Sequence, residues 1–214
     1  MATVKRTYDA SRRQERAHEH RLRILECARE RFLRDGYAST TIAQVASDAG
    51  VASQTVTRHF ANKPGLVRAL FDVALVGDTQ STPLAERPWI VAIHDEPDPA
   101  RKLSMYARAL ATMVPRTAPI QLLVREASAD PALAAVWRQI RDGRRHGLAA
   151  FAANLAEGGH LAQGVTLDHA TDVLWTYSSP ELYELLVLDR RWTLDQYAGF
   201  IETGSRAALL GSER

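Results

Sequence analysis

Six side chains in a run of seven, Ser53, Gln54, Thr55, Thr57, Arg58 and His59, carry hydrogen-bonding or positively charged groups, with only Val56 interrupting them. Hydroxyl, amide, guanidinium and imidazole groups gathered on so short a segment suit contacts with base edges and phosphate oxygens. They do not suit bond-breaking chemistry. The chain has no glycine-rich phosphate loop, nucleophile elbow or His-Glu-x-x-His pattern, and its seven histidines are scattered. Glu15-x-x-His18 has the spacing of a di-iron bundle, but the required second copy and further carboxylates are missing. No enzyme, no cofactor and no metal site is expected.

The elements that must hold those six residues are legible around them. From Thr40 to Phe60 the chain reads as two short helices joined by a tight turn at Gly50, a helix-turn-helix. Ile42, Val45, Ala46 and Ala49 form one apolar face, and Val51, Val56 and Phe60 form the next. Upstream, Leu22, Ile24, Leu25, Ala28, Phe32 and Leu33 predict a first helix that stops at Asp35-Gly36. Thr40 or Thr41 is placed to cap the second helix, while Gln44 beside them is read as solvated. Asn62 is placed to cap a fourth, with Pro64 tolerated in its first turn and Leu66, Ala69, Leu70 and Val73 as its buried stripe.

Charge divides along the same line. Residues 1–71 carry 13 Lys/Arg against 7 Asp/Glu, whereas residues 72–214 carry 14 against 18, so the net charge of +2 conceals a basic head and an acidic body. Residues 1–15 read as a flexible basic arm, in which Lys5, Arg6, Arg12 and Arg13 are available to a neighbouring groove. Residues 16–78 read as the helix-turn-helix domain and 84–214 as the body, with a junction near 78–84 marked by Gly77, Ser81, Pro83 and Pro88. The single cysteine, Cys27, excludes a disulfide framework and reads as a small core residue. With neither an apolar run of about 20 residues nor a signal-peptide core, no membrane partner and a cytoplasmic location are expected.

The body reads as helices throughout. Leu103, Tyr106, Ala107, Leu110 and Val114 form a stripe interrupted at Pro115, and Ile120, Leu123, Val124 and Ala127 form a second that ends at Asp130-Pro131. A long third runs from Leu133 to Leu155 and closes at Gly158-Gly159. Two more span roughly 167–189 and 193–210, the former kinked at Pro180. No stretch alternates as a strand does. The expected fold is all-α: an N-terminal three-helix head with a helix-turn-helix, and a C-terminal helical bundle for ligand binding and dimerisation.

The head resembles the TetR family of bacterial transcriptional regulators. The resemblance rests on Ile24-Leu25, Ala28, Phe32, Gly36-Tyr37, Thr40-Thr41-Ile42, Val45-Ala46, Ala49-Gly50-Val51, Thr55-Val56, Phe60 and Lys63 at the family's spacing. Two positions depart from it. Ala52 stands where the family usually has a helix-capping Ser, and Thr57 where it usually has a phosphate-binding Tyr. Ser179-Pro180-Glu181-Leu182-Tyr183 followed by Arg191-Trp192 also resembles a C-terminal variant within the family. The resemblance implies a regulator, most simply a repressor.

The geometry of duplex DNA then sorts the residues. Residues 53–59 are the helix that enters the major groove, with Ser53, Gln54 and Thr55 at or near bases and Arg58 suited either to guanine or to phosphate. Thr40, Thr41, Thr57, His59 and Lys63 are phosphate candidates, and Tyr37 reads as packing. One head covers few base pairs, so specificity requires a homodimer on a palindromic operator in double-stranded DNA, the heads about 34–36 Å apart. Ala198, Gly199, Gly204, Ala207 and Ala208, with Leu194, Tyr197, Ile201 and Leu209, are suited to that pairing. The resemblance further implies a small-molecule effector in the body. Trp89, Tyr106, Met113, Trp137, His146, Phe151, Trp175, Tyr177 and Ser178 are its candidate contacts, His146 and Ser178 as polar anchors, and the aromatic bias points to a mostly apolar molecule. Two alternatives stay open: a DNA-binding regulator without an effector, and a helical-bundle carrier that has lost DNA binding.

Overall fold

The computed structural model describes residues 3–77 and 82–210, with side chains from residue 16 onward. Among the described residues every regular element is helical. The chain forms α1 (Thr3–Ser39), α2 (Ile42–Ala49), α3 (Ser53–Phe60) and α4 (Lys63–Val76), then a 3-10 turn (Leu84–Glu86). It continues with α5 (Pro88–Asp95), α6 (Pro99–Glu126), α7 (Pro131–Glu157), α8 (Leu167–Tyr177), α9 (Pro180–Tyr183, extended as a π-helix over Glu184–Asp189) and α10 (Leu194–Leu209). Helical backbone starts at Thr3, within the range expected to be an arm; the side chains of Lys5, Arg6, Arg12 and Arg13 lie outside the described residues. Gly36 (φ 79, ψ 169) interrupts α1 at the stop read from Asp35-Gly36.

Two compact units result, Met1–Asp72 with Leu123–Ala134, and Val73–Leu122 with Ala135–Arg214. They part within α4, whereas composition placed a junction at 78–84, of which residues 78–81 lie outside the described residues. The first unit closes around Ile24, Leu25, Ala28 and Phe32 of α1, Val45, Ala46 and Ala49 of α2, Val56 and Phe60 of α3, and Leu66, Val67, Leu70 and Phe71 of α4. At its surface Arg31 grips Asp48 with two bonds of 2.6 and 3.0 Å, tying α1 to α2 and holding the Asp48 carboxyl below the usual range. Cys27 is half-buried, and burial pushes its thiol up, which makes it a poor nucleophile.

The second unit has its own core, including Leu103, Ala107, Leu110, Leu155, Leu174, Tyr197, Ile201 and Leu209. Three expectations are corrected here. First, α6 does not stop at Pro115; it runs through both Pro115 and Pro119. An interior proline costs about 3 kcal/mol. Fully burying a large aliphatic side chain contributes about 1.5–3 kcal/mol, and Leu110, Val114 and Ile120 around the prolines are all buried, so packing outweighs the loss. Second, the pattern over 167–189 is two helices, not one kinked helix. Pro180 opens α9 as its first residue and Ser179 caps it, its hydroxyl accepting from the Leu182 amide at 3.3 Å. Third, Tyr197, Ile201 and Leu209, assigned above to a surface between copies, lie fully buried in the unit's own core.

Gly204 belongs to that core as well, because a Cβ there would strike the Tyr177 ring, whereas Gly199 has open space around it. Replacement by alanine separates the two. Gly204→Ala is expected to lower stability by about 1–3 kcal/mol through overpacking, and Gly199→Ala to raise it by up to about 1 kcal/mol through helix propensity. Urea unfolding of both variants reads the difference, and a stable Gly204→Ala protein would refute the close packing.

Candidate nucleic-acid interface

The site begins with the caps that fix α2 and α3. Thr41 has extended backbone (φ −116, ψ 156); its hydroxyl accepts from the Gln44 amide at 3.2 Å, and Gln44 Oε1 accepts from the Thr41 amide at 2.8 Å. This reciprocal capping box gives Gln44, read as solvated, a structural task. At the other end of α2, Gly50 adopts the left-handed conformation (φ 66, ψ 34), and the Val51 amide reaches back to Ala46 O at 2.9 Å. A residue with a Cβ pays for that conformation, so glycine is the natural occupant.

Helix α3 follows without such help. Its N-cap, Ala52, offers no side-chain acceptor, and Ser53 does not replace it as one. Its far end is held tightly instead. Ala61 (φ 62, ψ −54) forms a γ-turn in which the Asn62 amide bonds Phe60 O at 2.7 Å, and Asn62 Oδ1 then accepts from the Gly65 amide at 2.8 Å to cap α4. Gly65 lies so close that a Cβ there would collide with the Phe60 carbonyl. Val56 and Phe60 are buried, which fixes the roll of the helix and turns Gln54, Thr57 and Arg58 outward.

The sequence-assigned contacts therefore divide. Gln54, Thr57, Arg58 and Thr41 are exposed, and Ser53, Thr55, His59 and Lys63 half-buried. Thr40 is not at the surface: it is 1% exposed and its hydroxyl donates to Gly36 O at 2.9 Å. The Thr57 hydroxyl turns back to the carbonyls of Ser53 and Gln54, at 3.3 and 3.2 Å. Lys63 places its ammonium 3.8 Å from the centre of the Tyr37 ring, and burial pulls its pKa down. Tyr37, read as packing, is thus also the platform of a cationic side chain, and its place directly after the helix stop at Gly36 was the available signal. Arg21, missed by sequence reasoning, lies 5.4 Å over the Phe60 ring.

Burial, followed by the nearby charges of Arg58, Arg21 and His20, pulls the His59 pKa down. Both effects disfavour the charged imidazole, and the neutral form has one donor and one acceptor.

In the second unit, Tyr106 and Ser178 are buried, and Met113, Phe151, Trp175 and Tyr177 pack against the same core. Tyr106 and Phe151 have ring centres 5.0 Å apart. Trp137 shares Arg141 with Trp175, at 6.0 and 5.2 Å. Trp89 and His146 are exposed. An open groove of about 430 Å³ between α6 and α10, lined by residues such as Ala111, Pro115, Leu194 and Ala198, includes none of the candidate effector contacts.

Residues 24–70 match the family of bacterial regulatory proteins called tetR. The head of the chain thus carries the TetR-family sequence pattern. Over 61 residues it is 44% identical to the HTH-type transcriptional regulator TtgR of Pseudomonas putida, a match covering 28% of this chain and 29% of that one. An uncharacterized regulator of Bacillus subtilis, YvkB, is 44% identical over 48 residues, 22% of this chain and 25% of its own. The matches thus span less than a third of the length of these curated relatives. Two solved structures share the fold across nearly the whole chain. NalD of Pseudomonas aeruginosa, the secondary repressor of the MexAB-OprM multidrug efflux pump, has a TM-score of 0.72 at 20% identity, covering 93% of this chain and 100% of that one. FadR of Bacillus subtilis, in complex with stearoyl-CoA, has a TM-score of 0.70 at 19% identity, covering 87% and 98%. Within the TetR-family head, all the residues discussed from Ile24 to Leu70 fall inside the matched segment.

The His59 environment has a measurable consequence. Its folded pKa lies below the ordinary value of about 6.5, so the unfolded chain binds the proton more readily. The contribution is complete above that value and is lost as pH falls toward the folded pKa. His59→Gln should flatten the acid-side decline in stability, followed by urea unfolding between about pH 5 and 8; parallel curves for the two proteins would show that His59 does not contribute.

Proposed function

We propose that this protein is a DNA-binding transcriptional repressor of the TetR family that acts as a homodimer on a palindromic operator and is released by a small, mostly apolar effector bound in its body. The observation that carries the reading is the sidedness of α3: Val56 and Phe60 are buried, and Gln54, Thr57 and Arg58 are presented outward. The 13 basic against 7 acidic residues over 1–71 supply the attraction to phosphates. Gln54, near the start of α3, is placed to pair with adenine, and Ser53 and Thr55 flank it. Arg58 serves guanine or phosphate, and Thr41, Thr57, His59 and Lys63 lie along the phosphate backbone. Thr40 acts from beneath by holding the end of α1, since its hydroxyl is engaged with Gly36.

Pairing of two copies calls for surface that the single chain leaves open. On α8 and α10, Leu167, Leu194 and Phe200 are exposed, with the open face of Gly199 between the latter two in sequence. For the effector, Tyr106, Met113, Phe151, Trp175, Tyr177 and Ser178 remain the leading contacts, because they gather at one core. Stearoyl-CoA accompanies the FadR fold, and an apolar effector here accords with the aromatic character of that core. Release follows if the effector favours a head spacing that no longer matches adjacent groove faces.

Selection of bound duplexes from a random pool, followed by titration over a range of salt, tests the DNA half. The selected sites should be palindromes. Lys63→Ala should weaken binding to every sequence and reduce the salt slope by about one, whereas Gln54→Ala should relax preference at one base pair and leave the slope unchanged. If no duplex is bound at low ionic strength, or if both variants behave alike, the reading is wrong.

A further inference from the structure

Polar groups from four helices of the body converge at the C-terminal end of α8, and three hydrogen-bond donors there have no acceptor. Arg144 Nη1 on α7 donates to Ser178 O at 2.8 Å, but Arg144 Nε, Trp175 Nε1 on α8 and Tyr197 Oη on α10 are buried and unpartnered. The guanidinium carbon lies 5.1 Å from the centre of the Trp175 ring, and the Arg144 charge acts on both Tyr197 and Tyr106. Tyr197 is fully buried.

The two hydroxyls nearby already donate within the chain. Tyr106 Oη on α6 donates to Leu174 O at 3.2 Å, and Ser178 Oγ donates to Trp175 O at 3.1 Å. Buried donors in folded proteins are nearly always matched. Three left open around one guanidinium therefore require something from outside the chain. Burial pushes the hydroxyls of Tyr106 and Tyr197 up, so they stay protonated and donate, and arginine stays charged. The complement of a positive charge ringed by donors is a small anion rich in lone pairs; a carboxylate accepts up to about four hydrogen bonds. Glu181, the largest acidic influence on Arg144, leaves Nε without a partner. Beyond the polar groups the surroundings turn apolar, with Phe151 against Tyr106 and Met105 and Met113 against the core. A ligand matched to these groups has one charged end and an apolar remainder, unlike a sugar.

We infer that the body binds a monocarboxylic acid with an apolar remainder, its carboxylate taken by Arg144 Nε, Trp175 Nε1 and Tyr197 Oη. The inference rests on the reading of the body as an effector domain and names the chemical class of that effector.

Octanoate and phenylbutyrate, each paired with its neutral alcohol, octanol and phenylbutanol, are the probes. Binding to the full-length protein is followed by tryptophan fluorescence and by the thermal midpoint. Each acid should bind saturably and about 10- to 100-fold more tightly than its alcohol, the range expected of hydrogen bonds to a charged group. Arg144→Gln should abolish that preference. Tyr197→Phe and Trp175→Phe, which keep the ring shapes, should each weaken acid binding by about 3- to 10-fold, and they carry the comparison if Arg144→Gln fails to fold. Equal binding of acid and alcohol, no saturable binding of either acid, or full acid preference in these variants would overturn the inference. The same preparations are assayed on the selected duplex. Release by the alcohols but not the acids would retain an effector-controlled repressor and overturn the carboxylate site. Acid-selective binding in a protein that binds no duplex would support the site while removing the repressor reading.

Discussion

An eight-residue helix is not stable alone in water, because nucleation fixes several residues before the first hydrogen bond is gained. Everything proposed for α3 therefore depends on the two side chains it buries. Val56 and Phe60 anchor it in a core supplied by α1, α2 and α4, and that anchorage determines which way Gln54, Thr57 and Arg58 point. The left-handed turn at Gly50 and the γ-turn at Ala61 set the two ends. Rotation of α3 about its axis by one residue would bury a polar group and expose Phe60, a change costing more than any single base contact contributes. In the proposed reading, recognition is thus decided by packing on the side of the helix that never meets a ligand.

Much of this head was legible because its signals are local. The Gly36 stop, the Thr41 cap, the Gly50 turn and the Asn62 cap each act within four residues, and all four are present. Thr40 was harder. A threonine before a helix can cap, bind phosphate or plug a core, and only tertiary structure shows that its hydroxyl is spent on Gly36. Lys63 posed the same difficulty, since its resting place over Tyr37 joins residues far apart in sequence.

The body was less legible for a related reason. Proline was read there as a stop, yet α6 passes through Pro115 and Pro119 because buried neighbours on the same helix outweigh the missing amides. At Pro180 the opposite held, and a proline read as a kink became a clean start behind the Ser179 cap. Small and apolar residues of α10 fit an external or an internal partner equally well by pattern; Tyr177 against Gly204 decides for the internal one at that position. The unpartnered donors of Arg144, Trp175 and Tyr197 left no periodic trace at all, since they come from three separate helices.

Ala52 gives the reading helix an asymmetric hold. With no side chain to receive its leading amides, α3 is held at the rear by Phe60 and Asn62 and at the front by the Gly50 turn alone. Its first turn, which carries Ser53 and Gln54, thus has fewer side-chain bonds to hold it than its last. Under the proposed reading, fraying of that single turn would absorb small differences in groove width without disturbing the core behind it.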